Sequence, residues 1–413
     1  LESCGYKVGL IGTIQYMIGK KSFDSVHTTP YPHVYQRILR QMCDEGCDYV
    51  VSEVSSHALS QKRADYTRFE VAVFTNLTRD HLDYHGSMDE YFLAKSRLFT
   101  DLLIDGGVAV INIDDPYGLK LLDMVKHRKI NIITFGLTNT KGDITAEDIE
   151  LTFKGIRYSL RLKDGSKEEI RSHLCGLTSV YNTLASIGVS IAIGIPIKKI
   201  KEGIIMTNLV KGRFEKVDLG QDFLAVVDYA HTEDALERLL LTARQLLHAY
   251  SLAKKTEQMM QDKDRQFAQD ETKTGKVITV FGCGGNRDKG KRSKMGEIAS
   301  RLSDFVIVTS DNPRYEDPKE IIREIEKGIK GDNYIVIPDR KVAIKMAVEL
   351  ASCGDIVLVA GKGHEEYQEI EGKKRAFSDR KALEDAIKRT INRPSYKHWL
   401  KTLQSDKVQN AHC

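Results

Sequence analysis

The sequence contains no apolar run that approaches the roughly 20 residues of a membrane-spanning helix. The first residues, LESCGYKVGLIGTI, lack the basic segment and the long apolar segment of a secretory signal. Charge of neither sign dominates, because the sequence has 62 lysine and arginine residues and 58 acidic residues, which leaves a net charge of +4. These absences favour a cytoplasmic protein, and the charge gives no indication of a nucleic-acid or membrane partner.

Cysteine is scarce, with 7 residues in a chain of 413. An odd number of scattered cysteines argues against a disulfide framework and fits a reducing compartment. Cys43 and Cys47, in CDEGC, have a spacing found in metal sites, but no second Cys/His pair lies nearby. Structural zinc needs four ligands, so we expect no zinc site here.

Short apolar runs alternate with amphipathic helical segments along most of the chain. The runs are YVVSEVSS, VAVFTNLT, GVAVINI, NIITFG, FLAVVDYA, KVITVFGCGG, DFVIVTSDNP, NYIVIPD and DIVLVAGKG. Because these runs are continuously apolar, they predict strands that are buried on both faces of mainly parallel sheets. The predicted fold class is α/β, with ligands at the carboxyl ends of the strands.

The chain is long enough for two or three domains of about 100 to 200 residues each. A helical stretch stops near Lys211 and a new strand–helix series begins, which predicts two domains, 1–210 and 211–392. A highly charged insertion at about 252–276 is predicted to be a helical extension or a surface loop. Residues 393–413 are predicted to form a tail.

Glu53 interrupts the run YVVSEVSS. A carboxylate at the end of a buried strand must be paired or bind a cation, since its desolvation is costly. A structural salt bridge and a metal site both remain open for Glu53.

His81 and His85 follow a second strand, and a helix with a capping box, Ser87 to Glu90, comes next. Lys95 falls on the apolar stripe of that helix, which passes through Tyr91, Leu98 and Leu102. Burial would lower the pKa of such a lysine and leave an amine that reacts with carbon dioxide. The resulting carbamate would be an oxygen ligand for Mg²⁺. Snorkelling of the ammonium to the surface remains the alternative.

The segment VFGCGGNRDKGKR matches most of a phosphate loop from Gly285 to Lys291, but Arg292 stands where serine or threonine is required. We therefore expect a tight turn that presents Arg287 to a ligand. Other polar positions follow strands in VDYAHTEDALE, DNPR and AGKGHEEYQ, and GRFE places Arg213 at the presumed hinge between the domains. Helix capping and local ion pairing remain open for each of them.

Taken in order, these segments closely resemble the Mur ligases, ATP-dependent enzymes of peptidoglycan synthesis, and in particular the members that add the third amino acid of the stem peptide. In the first half of the chain the resemblance is carried by TTP, EVSSHALSQKR and FTNLTRDHLDYHGSMDEYFLAKSRLF. In the second half it is carried by DYAHTEDALE, VFGCGGNRDKGKR, DNPR and AGKGHEEYQ. It covers roughly residues 1 to 392. It implies a central ATPase-like domain, truncated at its amino terminus, and a Rossmann-like carboxy-terminal domain that binds the incoming amino acid.

The resemblance also assigns roles to individual residues. Lys95 matches the carbamylated lysine of the family, and Glu53 and His81 match Mg²⁺ ligands. Contacts to UDP-N-acetylmuramoyl-L-alanyl-D-glutamate are implied for Thr28, Thr29, Ser55, Gln61 and Arg63. Contacts around the ATP nucleotide are implied for Asn182, Arg213, Asp228 and His231. The pocket for the incoming amino acid is implied for Arg287, Asp311, Asn312, Pro313, Arg314, Gly361 and Glu365.

Members of the family that carry DNPR generally take meso-diaminopimelate. Arg314 suits its distal carboxylate, because a guanidinium binds a carboxylate through two hydrogen bonds and repels the ammonium of lysine. Glu365 would then pair with the distal amine. The implied reaction converts the D-glutamate γ-carboxylate to an acyl phosphate, which the α-amine attacks. A ligase for L-lysine or another diamino acid remains open, and a monomer is expected.

The sequence departs from the family pattern at several places. The family's phosphate loop and amino-terminal domain would precede Leu1, so the chain is expected to be a fragment of a longer protein or a truncated product. A binding module without turnover therefore remains open. His27, Ser179 and Glu233 replace the asparagine, asparagine and proline that are usual in the family.

Overall fold

The computed structural model describes residues 1–139, 141–261 and 275–392. The chain divides into two compact units, with the division between Asn208 and Leu209. Part of the predicted insertion, 262–274, and the whole predicted tail, 393–413, lie outside the described residues. Among the residues that are described, no helix is both long enough and apolar enough to span a bilayer.

The amino-terminal unit contains two sheets. The first has the order β3-β2-β1-β4, in which only β1 and β4 are parallel. Its strands are β1 (Val8–Ile11), β2 (Gln15–Ile18), β3 (Lys21–Asp24) and β4 (Tyr49–Ser52). The second has the order β10-β9-β8-β7-β6-β5, parallel from β5 to β8 and antiparallel from β8 to β10. Its strands are β5 (Phe69–Phe74), β6 (Leu103–Asn112), β7 (Asn131–Gly136), β8 (Ile144–Thr152), β9 (Gly155–Leu162) and β10 (Lys167–Ser172).

Helices of the amino-terminal unit begin at recognisable caps. The Ser87 hydroxyl accepts a hydrogen bond from Glu90 N at 3.2 Å, as expected for the first half of the predicted capping box. Asp115 caps the helix that has Pro116 at its first position. The helices are α1 (Pro32–Asp44), α2 (Ser56–Ser60), α3 (Leu82–His85), α4 (Met88–Arg97), α5 (Pro116–Val125), α6 (Leu177–Ala192) and α7 (Ile197–Met206).

The carboxy-terminal unit has one six-stranded sheet, β11-β12-β16-β13-β14-β15, and a separate hairpin of β17 and β18. Every pair in the large sheet is parallel except β11 with β12. The strands are β11 (Glu215–Lys216), β12 (Leu224–Asp228), β13 (Val277–Phe281), β14 (Phe305–Val308), β15 (Tyr334–Val336), β16 (Ile356–Ala360), β17 (Tyr367–Ile370) and β18 (Lys373–Ala376). The helices are α8 (Glu233–Gln261), α9 (Gly290–Leu302), α10 (Pro318–Glu326), α11 (Arg340–Leu350) and α12 (Asp379–Ile391).

The predicted α/β class with parallel sheets is confirmed, and β12, β13 and β16 are buried almost throughout. The prediction that YVVSEVSS forms a buried strand is wrong. Strand β4 lies at the edge of its sheet, where Val50 and Val51 are 40% and 47% exposed. Glu53 follows this edge strand and is itself exposed. The desolvation argument for a cation at Glu53 therefore fails.

Candidate active site

Thr29 connects the loop before α1 to the turn between β4 and α2. Its buried hydroxyl donates to the Glu53 carbonyl oxygen at 2.9 Å and accepts from Ser55 N at 3.0 Å. The Thr28 hydroxyl lies 3.0 Å from the Thr13 hydroxyl. Thr13 in turn donates to the Glu53 carboxylate through its hydroxyl, at 2.5 Å, and its N–H, at 3.1 Å. Three hydroxyl residues predicted from the sequence thus belong to one hydrogen-bonded network.

Arg63 and Gln61 complete that network. The Arg63 Nε and Nη2 atoms both donate to Gln61 Oε1, at 2.9 and 2.5 Å, and Nη1 donates to the Thr29 carbonyl oxygen at 2.9 Å. The guanidinium also lies 4.8 Å from the centre of the Tyr31 ring. Gln61 Nε2 donates to the Tyr84 hydroxyl at 3.2 Å. Thr13, Tyr31 and Tyr84 were missed in the sequence, because single hydroxyl and aromatic residues carry no motif.

Lys95 projects from α4, and burial lowers the pKa of its amine, although the nearby Asp80 charge opposes that shift. The Nζ atom lies 5.4 Å from the centre of the Tyr91 ring. Within the described part of the chain, no hydrogen bond or salt bridge reaches this amine. By its solvent exposure the residue as a whole is half-buried.

His81 is a second neighbour of Tyr91, with the two ring centres 6.0 Å apart. It adopts a left-handed backbone conformation, with φ of 54° at the start of α3. The His57 ring lies 4.7 Å away. Lys95 and His81 therefore share a neighbour, while the Glu53 carboxylate is held by Thr13. Among residues 1–139, 141–261 and 275–392, no group of three His, Cys, Asp or Glu side chains is arranged to hold a metal ion.

Asp228 and Arg213 come together at the end of β12. The Asp228 carboxylate accepts hydrogen bonds from Phe214 N at 2.6 Å and Ala230 N at 2.8 Å. Burial nevertheless raises the pKa of Asp228, against the lowering effect of these N–H groups and of Arg213. The Arg213 guanidinium lies 4.9 Å from the centre of the Tyr229 ring, a neighbour that the sequence did not indicate.

The two remaining nucleotide candidates differ in their surroundings. His231 Nδ1 lies 2.8 Å from the Tyr229 carbonyl oxygen, and its ring lies 4.6 Å from the Tyr229 ring, which is also a neighbour of Arg213. Asn182 is exposed on α6, in the amino-terminal unit.

Asn312 is the most constrained residue of the predicted amino-acid pocket and is only 3% exposed. Its Oδ1 atom accepts from Lys362 Nζ at 2.9 Å and from Glu369 N at 3.0 Å, and its Nδ2 atom donates to Glu365 Oε2 at 2.8 Å. Gly361 is required beside it, because its φ is 121° and a Cβ atom would lie 2.6 Å from Asp311 Oδ2. The pocket residues that follow β14 and β16 are thus brought together.

Atoms of both predicted arginines lie near Gly284. A Cβ atom at Gly284 would be 3.0 Å from Arg314 Nη1 and 3.9 Å from Arg287 Cγ. Arg314 follows Pro313, has a φ of 53°, and donates from Nη1 to the Gly285 carbonyl oxygen at 2.8 Å. Arg287 is exposed. Side chains from two loops therefore lie close to Gly284, Arg314 through its guanidinium and Arg287 through its Cγ atom.

Arg292, which disrupts the phosphate-loop pattern, is fully buried. Its Nη1 atom donates to Glu316 at 2.9 Å and Glu324 at 2.7 Å, and its Nη2 atom donates to the Gly284 carbonyl oxygen at 3.1 Å. This arginine lowers the pKa of Glu316 to about 2. Arg292 therefore ties the loop that carries Arg287 to the segment that follows Arg314.

Comparisons with known proteins show the family to which both parts of the chain are similar. The sequence matches the Mur ligase middle domain over residues 1–190 and the Mur ligase, glutamate ligase domain over residues 265–363. It is 41% identical over 389 residues to the UDP-N-acetylmuramoyl-L-alanyl-D-glutamate--2,6-diaminopimelate ligase of Caldanaerobacter subterraneus subsp. tengcongensis, covering 94% of this chain and 73% of the relative. The protein of the same name from Clostridium botulinum is 43% identical over 392 residues, which cover 94% of this chain and 74% of that protein. A solved structure of a ligase with this name superposes with a TM-score of 0.64 at 33% identity, covering 95% of this chain and 74% of that one.

Proposed function

We propose that this chain, which belongs to the Mur ligase family, is the ATP-dependent ligase that joins meso-diaminopimelate to the D-glutamate of UDP-N-acetylmuramoyl-L-alanyl-D-glutamate in peptidoglycan synthesis. Relatives at 41% and 43% identity carry the name of this activity. The observation that carries the proposal is that the Arg314 guanidinium and the Asn312 carbonyl oxygen both lie near Gly284, while the Asn312 amide donates to Glu365. In this proposal residues 211–392 bind the incoming amino acid, and residues 1–210 form the central domain.

The incoming amino acid needs cationic and anionic partners at its distal end. A guanidinium binds a carboxylate through two parallel hydrogen bonds, so Arg314, with Arg287 beside it, takes the distal carboxylate. Glu365 takes the distal ammonium, and the side chain is 19% exposed and accessible to a ligand. L-lysine has the ammonium but not the carboxylate, so it offers Arg314 no substrate carboxylate to bind. This difference is the basis of the proposed selectivity.

The proposed acceptor side uses the network around Thr29. The hydroxyl groups of Thr28 and Ser55 and the guanidinium of Arg63 present donors to the carboxylates and amides of the UDP-linked dipeptide. Tyr31 holds the Arg63 guanidinium by a cation–π contact, so the Arg63 side chain loses less conformational freedom when substrate binds. The γ-carboxylate of D-glutamate becomes an acyl phosphate, and the α-amine of the diamino acid displaces phosphate to form the amide.

Nucleotide binding is proposed for Asn182, Arg213, Asp228 and His231. Glu53, His81 and a carbamate on Lys95 would hold Mg²⁺, which offsets the negative charge of the phosphoryl group when it is bound. Mg²⁺ commonly takes only one or two carboxylates from a protein and completes its shell with water and substrate phosphates. A set of few protein ligands is thus compatible with Mg²⁺, and the desolvated amine of Lys95 suits carbamate formation. Cytoplasmic location and a monomeric state remain predictions.

The test is phosphate release by the full-length polypeptide with ATP and Mg²⁺. We expect release only when the UDP-linked dipeptide and meso-diaminopimelate are both present. Omission of either substrate, or replacement of meso-diaminopimelate by L-lysine, should reduce release to background. Equal turnover with L-lysine would contradict the assigned specificity. Binding of meso-diaminopimelate by calorimetry without any turnover would indicate a binding module.

A further inference from the structure

Lys362 lies in the turn after β16 and is fully buried although it carries a charge. Its Nζ atom donates to Asn312 Oδ1 at 2.9 Å and to Glu365 Oε2 at 3.0 Å. The ammonium also lies 5.5 Å from the centre of the Tyr367 ring. A buried ammonium is costly unless it is paired and hydrogen-bonded, so these partners determine where it lies.

Lys362 fixes the orientation of the Asn312 amide. Because Asn312 Oδ1 accepts from both Lys362 Nζ and Glu369 N, the amide nitrogen must face the other way. It faces Glu365, to which it donates at 2.8 Å. The amide cannot flip without placing its N–H groups against the ammonium and a backbone N–H.

The same lysine fixes Glu365. One carboxylate oxygen, Oε2, accepts from both Lys362 and Asn312. No hydrogen bond from the described residues reaches the other oxygen, Oε1. The carboxylate is thereby held with a single oxygen available to a ligand.

We propose that Lys362 is a positioning and specificity-determining residue for the diamino acid, acting through Glu365. This rests on the proposed function, in which Glu365 takes the distal ammonium. Lys362 offsets the charge of Glu365, so the Lys362–Glu365 ion pair attracts a nearby cation only weakly. A distal ammonium gains most when it donates directly to Oε1, so recognition depends on the position of the amine and on the configuration of the carbon that bears it.

The first experiment compares Lys362→Met with Lys374→Met in the full-length polypeptide. Lys374 is a matched control, since its ammonium lies 4.1 Å from the same Tyr367 ring while β18 is exposed. For Lys362→Met we expect the KM for meso-diaminopimelate to rise about tenfold or more, as the loss of a hydrogen bond to a charged group predicts. The KM values for ATP and the UDP-linked dipeptide should stay within about twofold. The preference for meso- over LL-diaminopimelate should fall.

A double-mutant cycle separates positioning from a merely structural role. In a Glu365→Gln background, Lys362→Met should no longer raise the KM for meso-diaminopimelate, because its effect is transmitted through the carboxylate. An equal increase in both backgrounds would overturn the proposal. If Lys362→Met does not fold, Lys362→Gln replaces it in the cycle, and the same outcomes apply.

The failures of the two proposals are distinguishable. If the parent turns over meso-diaminopimelate and Lys362→Met matches Lys374→Met, the role of Lys362 is wrong and the proposed function stands. If the parent releases no phosphate with meso-diaminopimelate, the proposed function is wrong. Calorimetry with meso-diaminopimelate then still decides the role of Lys362. Weaker binding by Lys362→Met, with unchanged binding by Lys374→Met, supports that role. Equal binding by the two variants overturns it.

Discussion

Arg314 forms a salt bridge with Glu369, in which Arg314 Nε lies 3.4 Å from Glu369 Oε2. Both side chains are largely covered, with 19% and 22% exposed. The backbone reinforces the pair, because Arg314 N donates to the Glu369 carbonyl oxygen at 3.0 Å. The arginine proposed to bind the distal carboxylate of the substrate therefore already has an internal carboxylate beside it.

This salt bridge predicts that Glu369→Gln lowers the KM for meso-diaminopimelate by about threefold, because the substrate carboxylate no longer meets a like charge at Arg314. Steady-state phosphate release at varied meso-diaminopimelate measures the effect. Glu366→Gln is the control, since Glu366 is exposed and lies three positions earlier. A higher KM for Glu369→Gln would mean that Glu369 helps to bind the substrate and does not compete with it.

Replacement of Arg314 should remove the selectivity. We expect Arg314→Ala to lower kcat/KM for meso-diaminopimelate by about a hundredfold, as the loss of a bidentate charged pair predicts, while the value for L-lysine changes far less. Arg314→Lys is the matched variant, because it retains a charge and the same strained backbone position but lacks the planar fork. It should recover part of the loss. If Arg314→Ala selects its amino acid as the parent does, the assignment of the distal carboxylate to this residue is wrong.

The sequence predicts the parallel core well, because a strand that is apolar on both faces must be covered on both faces. NIITFG was predicted as a strand and forms β7, Asn131–Gly136. The position of a strand within its sheet depends on partners that are distant in the chain, and for that reason the exposure of Glu53 was missed. Lys362 was inconspicuous for a related reason. A lysine in a glycine-rich turn is typical of a surface loop, and its burial depends on Asn312, which comes from another strand end.

Arg292 and Glu316 give a pH-dependent contribution to stability. The folded-state pKa of Glu316 is about 2 and its ordinary value is 4.5, so the ionised pair stabilises the fold fully above pH 4.5. That contribution is lost as the pH falls through about 2. Glu316→Gln should therefore lower Tm near neutral pH, and the difference from the parent should shrink as the pH falls below 4.5.

Thermal unfolding followed by circular dichroism at several pH values measures this difference. Glu320→Gln is the control, because the Glu320 side chain pairs with Arg323 at the surface and is 57% exposed. Exposed pairs contribute little, so its Tm should stay close to that of the parent at every pH. A Tm difference for Glu316→Gln that is the same in acid as at neutral pH would show that the ion pair is not its cause.

Lys95 should carry a carbamate. Burial lowers the pKa of its amine, so the neutral form that attacks carbon dioxide is more abundant at a given pH than for an exposed lysine. The neutral fraction rises as the pH rises through that lowered pKa, and the carbamate should therefore appear at a lower pH than on other lysines. Carbon-13 NMR of the protein in labelled bicarbonate should show one carbamate signal that is absent from Lys95→Met.

Lys120→Met is the matched control for this experiment. Lys120 also lies over a tyrosine ring, 4.8 Å from the centre of Tyr117, but its side chain is 57% exposed, so its amine is solvated and its removal should leave the signal unchanged. Because the carbamate supplies an oxygen ligand in the proposed Mg²⁺ site, Lys95→Met should also need more Mg²⁺ for phosphate release. Two results would contradict the assignment of Lys95 as a Mg²⁺ ligand. One is a carbamate signal that persists in Lys95→Met, and the other is a Mg²⁺ requirement of Lys95→Met that equals that of the parent.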